Sequence, residues 1–433
     1  MDLQTLREQP IDFTEKGFAR LGGPRTTAAS IAAARPPLHE AGFSYPLLTL
    51  RESALHHNAT AMAAYCAAHG VDLAPHGKTA MSPELAARQL RHGAWAITVA
   101  TFGQLRTYRS FGVNRLLLAN ELVDEAGIAW LSRELAIDPQ FEVYCYVDNT
   151  TNIKTHTRVA RPGKPLPVLV EIGHPDGRTG CRTDAEALAV AEAARASGVL
   201  RVAGVAAYEG TIKGKDSVKG EDTVEQIAGF CRRLRLLADL IRREDDEEFI
   251  VSAGGSTYFD VVTRELTAGD TSGLRVVLRS GAYLYFDHGL YATMSPQGRG
   301  VADVPVFRPA IELWAQVLSR PEPGLVLLNF GRRDVGTDST LPVPLRTVSL
   351  RAVSPRTVSL RAAGREHTVT PGWRVTQLSD QHAFLELPAD AGLEPGDLVG
   401  LGISHPCTTL DKWRLIPIVD DGDRVTDVVR TFF

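Results

Sequence analysis

From about residue 46 the chain alternates between two textures. Short runs of aliphatic and β-branched residues are each followed by a longer segment whose apolar positions recur at helical spacing. The strand-like runs are VDLAPHGK (71–78), AWAITVAT (94–101), RLLLAN (115–120), FEVYCYVD (141–148), LPVLVEIG (166–173), LRVAGVAAYEG (200–210), FIVSAGGS (249–256) and LRVVLRSGAYLYF (274–286). The segments between them read as helices, as in SPELAARQLRHG (82–93) and TDAEALAVAEAARASG (183–198). Ser82 is an expected N-cap, Pro83 suits the first helical position, Glu84 sits in the first turn and Gly93 follows the end. Eight strands, each followed by a helix, predict a closed parallel (β/α)₈ TIM-type barrel. An open doubly wound sheet is the alternative. The count of eight favours the barrel, as does the placing of reactive residues at strand C-terminal ends. After residue 300 helical spacing fades. Runs such as IELWAQVLS, LVLLNF, AFLELP and GDLVGLGI are broken by Pro and Gly, which predicts a second, smaller β domain. The division expected is an N-terminal extension at 1–45 that partly joins the β domain, the barrel at 46–300, and the β domain at 301–433. RTVSLRA occurs twice, at 346–352 and 356–362, and reads as two adjacent strands or a local duplication.

Composition narrows the function classes. With 44% hydrophobic and 23% charged residues, 433 residues can bury a large core without staples. A formal net charge of -4 gives no electrostatic reason to expect nucleic acid or an anionic membrane as partner. The polar N-terminus and the lack of a long apolar run predict neither a signal peptide nor a membrane span. Five irregularly spaced cysteines without a CxxC predict buried thiols in a reducing compartment, hence the cytoplasm.

Three clusters carry chemistry. Lys78, in APHGKTAMSPEL, closes the first strand run and so faces the active end of a barrel. A lysine desolvated there can act as a Schiff-base nucleophile. Gly254, Gly255, Ser256 and Thr257 follow the seventh strand, where barrels commonly bind phosphate on a helix N-terminus. A strand-to-helix turn with a Ser/Thr cap is the plain alternative. A lysine on strand one and a phosphate turn after strand seven together suit a phosphate-bearing aldehyde. His405 and Cys407, in GISHPCTTLDKW, would face one way in extended backbone and suit Zn²⁺ or another divalent metal. A buried histidine with a core cysteine is the alternative. Arg178 could reach the cofactor ring oxygen, Tyr208 could hydrogen-bond the ring, and His76 could stack on it. Tyr283 could reach the phosphate or close the barrel bottom, and His382 could join the metal site or lie in an ordinary turn.

These pieces together resemble the D-serine dehydratase and D-threonine aldolase family, whose barrel is of the alanine racemase type. The likeness rests on PHGKTAMSPELAARQL, EIGHPDGRTG, AAYEG, SAGGST, RSGAYLYFD and SHPCTTLDKW, in the family's order, across most of residues 43–420. It implies a fold type III pyridoxal 5'-phosphate enzyme, a homodimer, with Lys78 bonded to the cofactor and His405 and Cys407 on the metal. In the dehydratase branch the pair is H-x-C with zinc; in the aldolase branch an Asp commonly replaces the Cys. Cys407 therefore points to dehydration of a β-hydroxy D-amino acid, D-serine-like, to a 2-oxo acid and ammonia. Retro-aldol cleavage to glycine and an aldehyde is the alternative. A racemase would need a second base and no metal, and a non-catalytic pyridoxal phosphate carrier would lack the roughly 130 residues after the barrel. Relative to the family, Ala74 stands where Arg is frequent and Ala80-Met81 where a His-Lys pair is frequent, which alters the charge of the site.

Overall fold

In the computed structural model the described residues are 3–161, 163–214, 221–246, 248–349, 365–368 and 372–433. Eight short strands form the first layer: β1 (Asp72–Leu73), β2 (Ile97–Val99), β3 (Arg115–Glu121), β4 (Glu142–Val147), β5 (Leu166–Ile172), β6 (Leu200–Ala207), β7 (Phe249–Ala253) and β8 (Leu274–Leu278). They pair in the order β1-β8-β7-β6-β5-β4-β3-β2, every pair parallel. The seam between β1 and β2 is closed by the Trp95 N–H on the Leu73 carbonyl (2.7 Å), the Thr98 N–H on Pro75 (3.0 Å) and the Thr98 hydroxyl on Ala74 (2.6 Å). The barrel expectation is met.

Strand periodicity explains both faces. Along β4, Tyr144 and Tyr146 point into the barrel, while Val143, Cys145 and Val147 pack under the helices. Each such buried aliphatic side chain stabilises by about 1.5–3 kcal/mol. The small residues Ala74, Ala96, Ala203 and Ala206 share the interior with the two tyrosines, so volumes balance across the lumen. Ala203 and Ala206 are three apart, which a strict alternation forbids. The β5–β6 register shifts there, and Gly204 sits at the bulge. A Cβ on Gly204 would collide with the carbonyl oxygen of Ile250, which β7 holds rigid. Gly204→Ala is therefore expected to destabilise by about 3 kcal/mol, read as a drop in the denaturant midpoint.

Local signals held with two corrections. Thr183 caps the helix Asp184–Ala196 in a full capping box with Glu186. Ser82 precedes the helix Pro83–Arg91 but makes no cap bond; its hydroxyl donates to the buried Glu84 carboxylate (3.0 Å), which needs donors more than the helix end does. The first and eighth strands are also shorter than their sequence runs. Pro75 has no N–H to continue β1, and Lys78 lies in a 3₁₀ turn, Gly77–Thr79. After β8, Gly281 lies against the His76 backbone and the chain turns into the 3₁₀ segment Ala282–Leu284.

The second domain is a ten-stranded sheet. Its spine is Ile311–Glu322, long enough to pair with Leu47–Arg51, Leu398–Gly402 and Leu325–Leu328. Leu47–Arg51 lies between this spine and Leu415–Val419, so residues 46–51, assigned above to the barrel, belong to the second sheet. The barrel proper starts with the helix Glu52–His69. Phe18, Phe43, Leu47, Trp314, Leu398, Leu415 and Val428 form a separate core that ties the N-terminal segment to this sheet. The chain end then returns to the barrel: the Phe432 N–H bonds the Met81 carbonyl (2.9 Å) and the Arg430 N–H bonds Glu84 (3.2 Å). The first RTVSLRA copy begins in the strand Val343–Ser349; the second lies outside the described residues. Among the described residues no helix is long and apolar enough to cross a membrane. Cys66, Cys145, Cys181 and Cys231 are free and buried, and Cys407 is free and half-buried.

Candidate active site

The C-terminal ends of the strands surround a cavity of about 300 Å³. Lys78 reaches it from the turn after β1, His76 from the bridge to β2, Arg178 from the loop after β5, Tyr208 from the end of β6, and Gly255 from the turn after β7. Five of the expected residues are thus brought together. Burial lowers the Lys78 pKa; the nearby Cys407 opposes this, and the guanidinium groups of Arg178 and Arg279 add to it. His76 is fully buried and held well below its ordinary value, first by burial and then by the charges of Lys78, Arg279 and Arg178. It stays a neutral ring whose Nδ1 has no partner among the described residues. Arg178 stacks over the Tyr208 ring with 4.2 Å between guanidinium carbon and centroid, which fixes both side chains.

The glycine turn is built by a residue the sequence reading passed over. Glu209, next to Tyr208 and fully buried, accepts the N–H groups of Gly254 (3.1 Å) and Gly255 (2.7 Å). Those two amides are therefore occupied. Among the described residues, no acceptor engages the N–H groups of Ser256 and Thr257. The Ser256 hydroxyl accepts the Ala282 N–H (3.2 Å), which draws the turn toward the segment after β8. The phosphate-cradle expectation thus moves to the last two residues of the tetrad, with Gly254 and Gly255 shaping the turn. Tyr283 is not brought to this cavity: it is buried and its hydroxyl accepts from Gln89 (3.2 Å).

The second domain brings His405 and Cys407 up to the turn that carries Lys78. They are not on an extended strand as expected. His405 adopts φ +52 and Cys407 opens the short helix Cys407–Leu410. The buried Asp287, at the barrel's end, accepts the His405 N–H (2.9 Å) and holds this turn in place. The two side chains still meet: their mutual hydrogen bond raises His405 to about 9, burial opposes the rise, and Asp338 adds to it. Asp338 takes the His405 Nδ1 and the Thr408 hydroxyl (2.7 Å). Cys407 Sγ lies 3.5 Å from the Thr79 hydroxyl, one residue from Lys78. An imidazole, a thiol and a carboxylate together are a donor set that zinc favours, and Asp338 on Nδ1 leaves Nε2 for an ion. His382 stays outside this group, exposed in the turn between Arg374–Leu378 and Ala383–Glu386.

The chain is similar to known proteins along both domains. Residues 50–287 match the family described as Alanine racemase, N-terminal domain. The chain belongs to that family. Residues 310–419 match a second description, Putative serine dehydratase domain. The D-threonine aldolase of Arthrobacter sp is 27% identical over 386 residues, covering 87% of this chain and 89% of that protein. Among solved structures, the D-threonine aldolase of Filomicrobium marinum has a TM-score of 0.71 at 23% identity, covering 90% of this chain and 95% of that one. The D-threo-3-hydroxyaspartate dehydratase of Delftia sp. HT23 has a TM-score of 0.67 at 19% identity, covering 90% and 97%. That dehydratase has also been solved as a histidine-to-alanine variant and as a cysteine-to-alanine variant in the metal-free form, the two positions being two residues apart.

In this member of the alanine racemase family the sequence also hides further polar residues at the mouth. Arg279, just past β8, is buried and donates to the Ser252 hydroxyl (2.6 Å) and the Ala207 carbonyl (2.5 Å). Tyr291 packs beside His405, ring centroids 6.4 Å apart. Glu121, Asp148 and Glu171 cluster at the ends of β3, β4 and β5. Burial, then the closeness of the Glu171 carboxyl and the other neighbouring negative charges, pushes Glu121 up to about 9. A raised carboxyl keeps its proton in the folded chain after the unfolded chain has lost it. Stability should therefore fall as pH climbs from about 4.5 toward about 9. Thermal melts in chelator across that window are expected to show the slope, and Glu121→Gln should flatten it.

Proposed function

We propose that this chain is a pyridoxal 5'-phosphate-dependent, zinc-assisted lyase that dehydrates a β-hydroxy D-amino acid, D-serine-like, to a 2-oxo acid and ammonia. The observation that carries the reading is the closeness of Cys407, from the second domain, to the turn that carries Lys78 into the barrel cavity: its thiol lies 3.5 Å from the Thr79 hydroxyl and within electrostatic reach of Lys78. The residues fit the cofactor: a lysine of lowered pKa, two backbone amides without an acceptor, and a buried ring nitrogen without a partner. Lys78 would hold it covalently, Ser256 and Thr257 its phosphate on the turn set by Gly254 and Gly255, and His76, Arg178 and Tyr208 its ring. Bound there, the cofactor supplies an electron sink for the charge left on the substrate α-carbon.

The chain's own residues do the rest. Burial lowers the Lys78 pKa and so favours the neutral amine, which suits Nζ as a base for the α-proton on the face it occupies. Arg178 and Arg279 place positive charge around the cavity and suit the substrate carboxylate. His405 and Cys407, steadied by Asp338 and Asp287, would hold zinc, which supplies a Lewis acid for the departing β-hydroxyl.

Retention of a cysteine two residues after the histidine supports dehydration, because the dehydratase neighbour is the one whose cysteine variant is metal-free. The 27% identical aldolase supports the second reading, cleavage to glycine and an aldehyde. Purified, zinc-loaded protein given D-serine and D-threonine separates them. Oxo acid that vanishes with a chelator and returns with zinc is the expected result. Glycine with aldehyde would overturn dehydration in favour of the aldolase. The same reading carries a cytoplasmic homodimer, checked by light scattering on the eluted protein.

A further inference from the structure

Three carboxylates at the mouth have no part in the chemistry above. Glu121 ends β3, Asp148 follows β4 and Glu171 lies on β5, and one oxygen from each falls within 4.8 Å of the others. Asp148 is partly satisfied by the Gly180 N–H (3.0 Å) and the Asn149 amide (2.6 Å). The other two are not. Both oxygens of Glu121 and Oε2 of Glu171 are buried without a hydrogen-bond partner, and Glu171 is only 4% exposed. Among the described residues no Lys, Arg or His makes an ion pair with any of the three. Carboxyl groups crowded together in a buried place escape like charge only by keeping a proton or by binding a cation, and folding alone has no reason to gather them.

A separate observation shows where the missing partner belongs. Tyr146, on β4 between the strands that carry Glu121 and Glu171, is 2% exposed and its hydroxyl has no partner. The side chain lines the same cavity as Glu171, within electrostatic reach of both glutamates. A phenol beside two carboxylates would ordinarily donate to one of them. This one is left without a partner, at the cavity that Glu171 also lines. Every donor atom there is oxygen, with neither nitrogen nor sulfur, which suits a hard cation such as Mg²⁺ or Mn²⁺ and contrasts with the His405–Cys407 pair. We propose that Glu121, Asp148 and Glu171, with the Tyr146 hydroxyl beside them, form a second metal site for a hard divalent cation. Because Glu171 also lines the cavity that Lys78 enters, the ion would stand at the edge of the substrate space and set the charge there.

The test does not depend on the reaction assigned above. Zinc-loaded protein is titrated with MnCl₂, and free manganese is followed by electron paramagnetic resonance. About one manganese per chain is expected in the wild type and in Cys407→Ala, with binding lost in Glu171→Gln. Both substitutions are checked for an intact melting transition, and Glu121→Gln stands in should Glu171→Gln fail to fold. No binding in the wild type would overturn the proposal and leave a shared proton as the occupant. Binding that survives the glutamine variants, or is lost in Cys407→Ala, would equally overturn it, since the manganese would then sit elsewhere.

Discussion

Lys78→Ala should abolish the near-visible absorbance of cofactor-loaded protein and lower turnover by about 10⁴-fold. The argument rests on the turn that presents the residue. β1 stops at Leu73 because Pro75 cannot extend the ladder, and the 3₁₀ turn that follows delivers Lys78 into the cavity. Burial there, reinforced by Arg178 and Arg279, favours the neutral amine, which is the form that attacks an aldehyde. Lys78→Arg keeps a positive charge but cannot lose it, so it should be equally colourless and inactive. If either variant kept the absorbance, the lysine would be misassigned. The circular dichroism of both should match the wild type, because Lys78 makes no ion pair that the fold depends on among the described residues.

Cys407→Ala should remove bound zinc, leave the cofactor absorbance in place and lower activity by at least about a hundredfold. The thiol is one of only two strong zinc donors in the group, and its partner His405 is already committed through Nδ1 to Asp338. Loss of one donor from so small a set cannot be made good by rotation of another. Cofactor retention is expected because Cys407 belongs to the second domain, while the residues proposed to hold the cofactor all come from the barrel. Metal analysis and the absorbance spectrum read the two effects separately. Simultaneous loss of metal and cofactor would mean that the cysteine holds the domains together instead.

Much of this arrangement was legible in the sequence because it rests on period and position. All eight barrel strands were found, since strands buried on both faces read as short continuous apolar runs set between longer helical segments. Lys78, His76, Arg178, Tyr208 and the glycine turn were found from one rule, that barrel chemistry sits at strand C-terminal ends. The same rule would have named Glu121, Asp148, Glu171 and Arg279, which end β3, follow β4, lie on β5 and follow β8. They were passed over because single acidic or basic residues near strands are common. Glu209 was hidden differently: its role is to occupy two amides forty-odd residues away, and no local pattern records that. Asp338 lies in an irregular loop and reaches His405 only through the tertiary fold. The extended H-x-C geometry failed because the Asp287 contact bends His405 into a positive φ.

The placing of Leu47–Arg51 has a consequence for how the molecule comes into being. That strand is flanked by Ile311–Glu322 and Leu415–Val419, so the second sheet is sewn from both ends of the chain with the barrel inserted between them. On the ribosome the barrel can close while Leu47–Arg51 still waits, its edges open, for partners more than 260 residues downstream. His405 and Cys407 arrive only after the whole barrel, just ahead of the last two strands. On the function proposed above, a nascent chain should therefore be able to grip the cofactor before it can grip a metal, and it gains its full chemistry only as the final strands leave the exit tunnel.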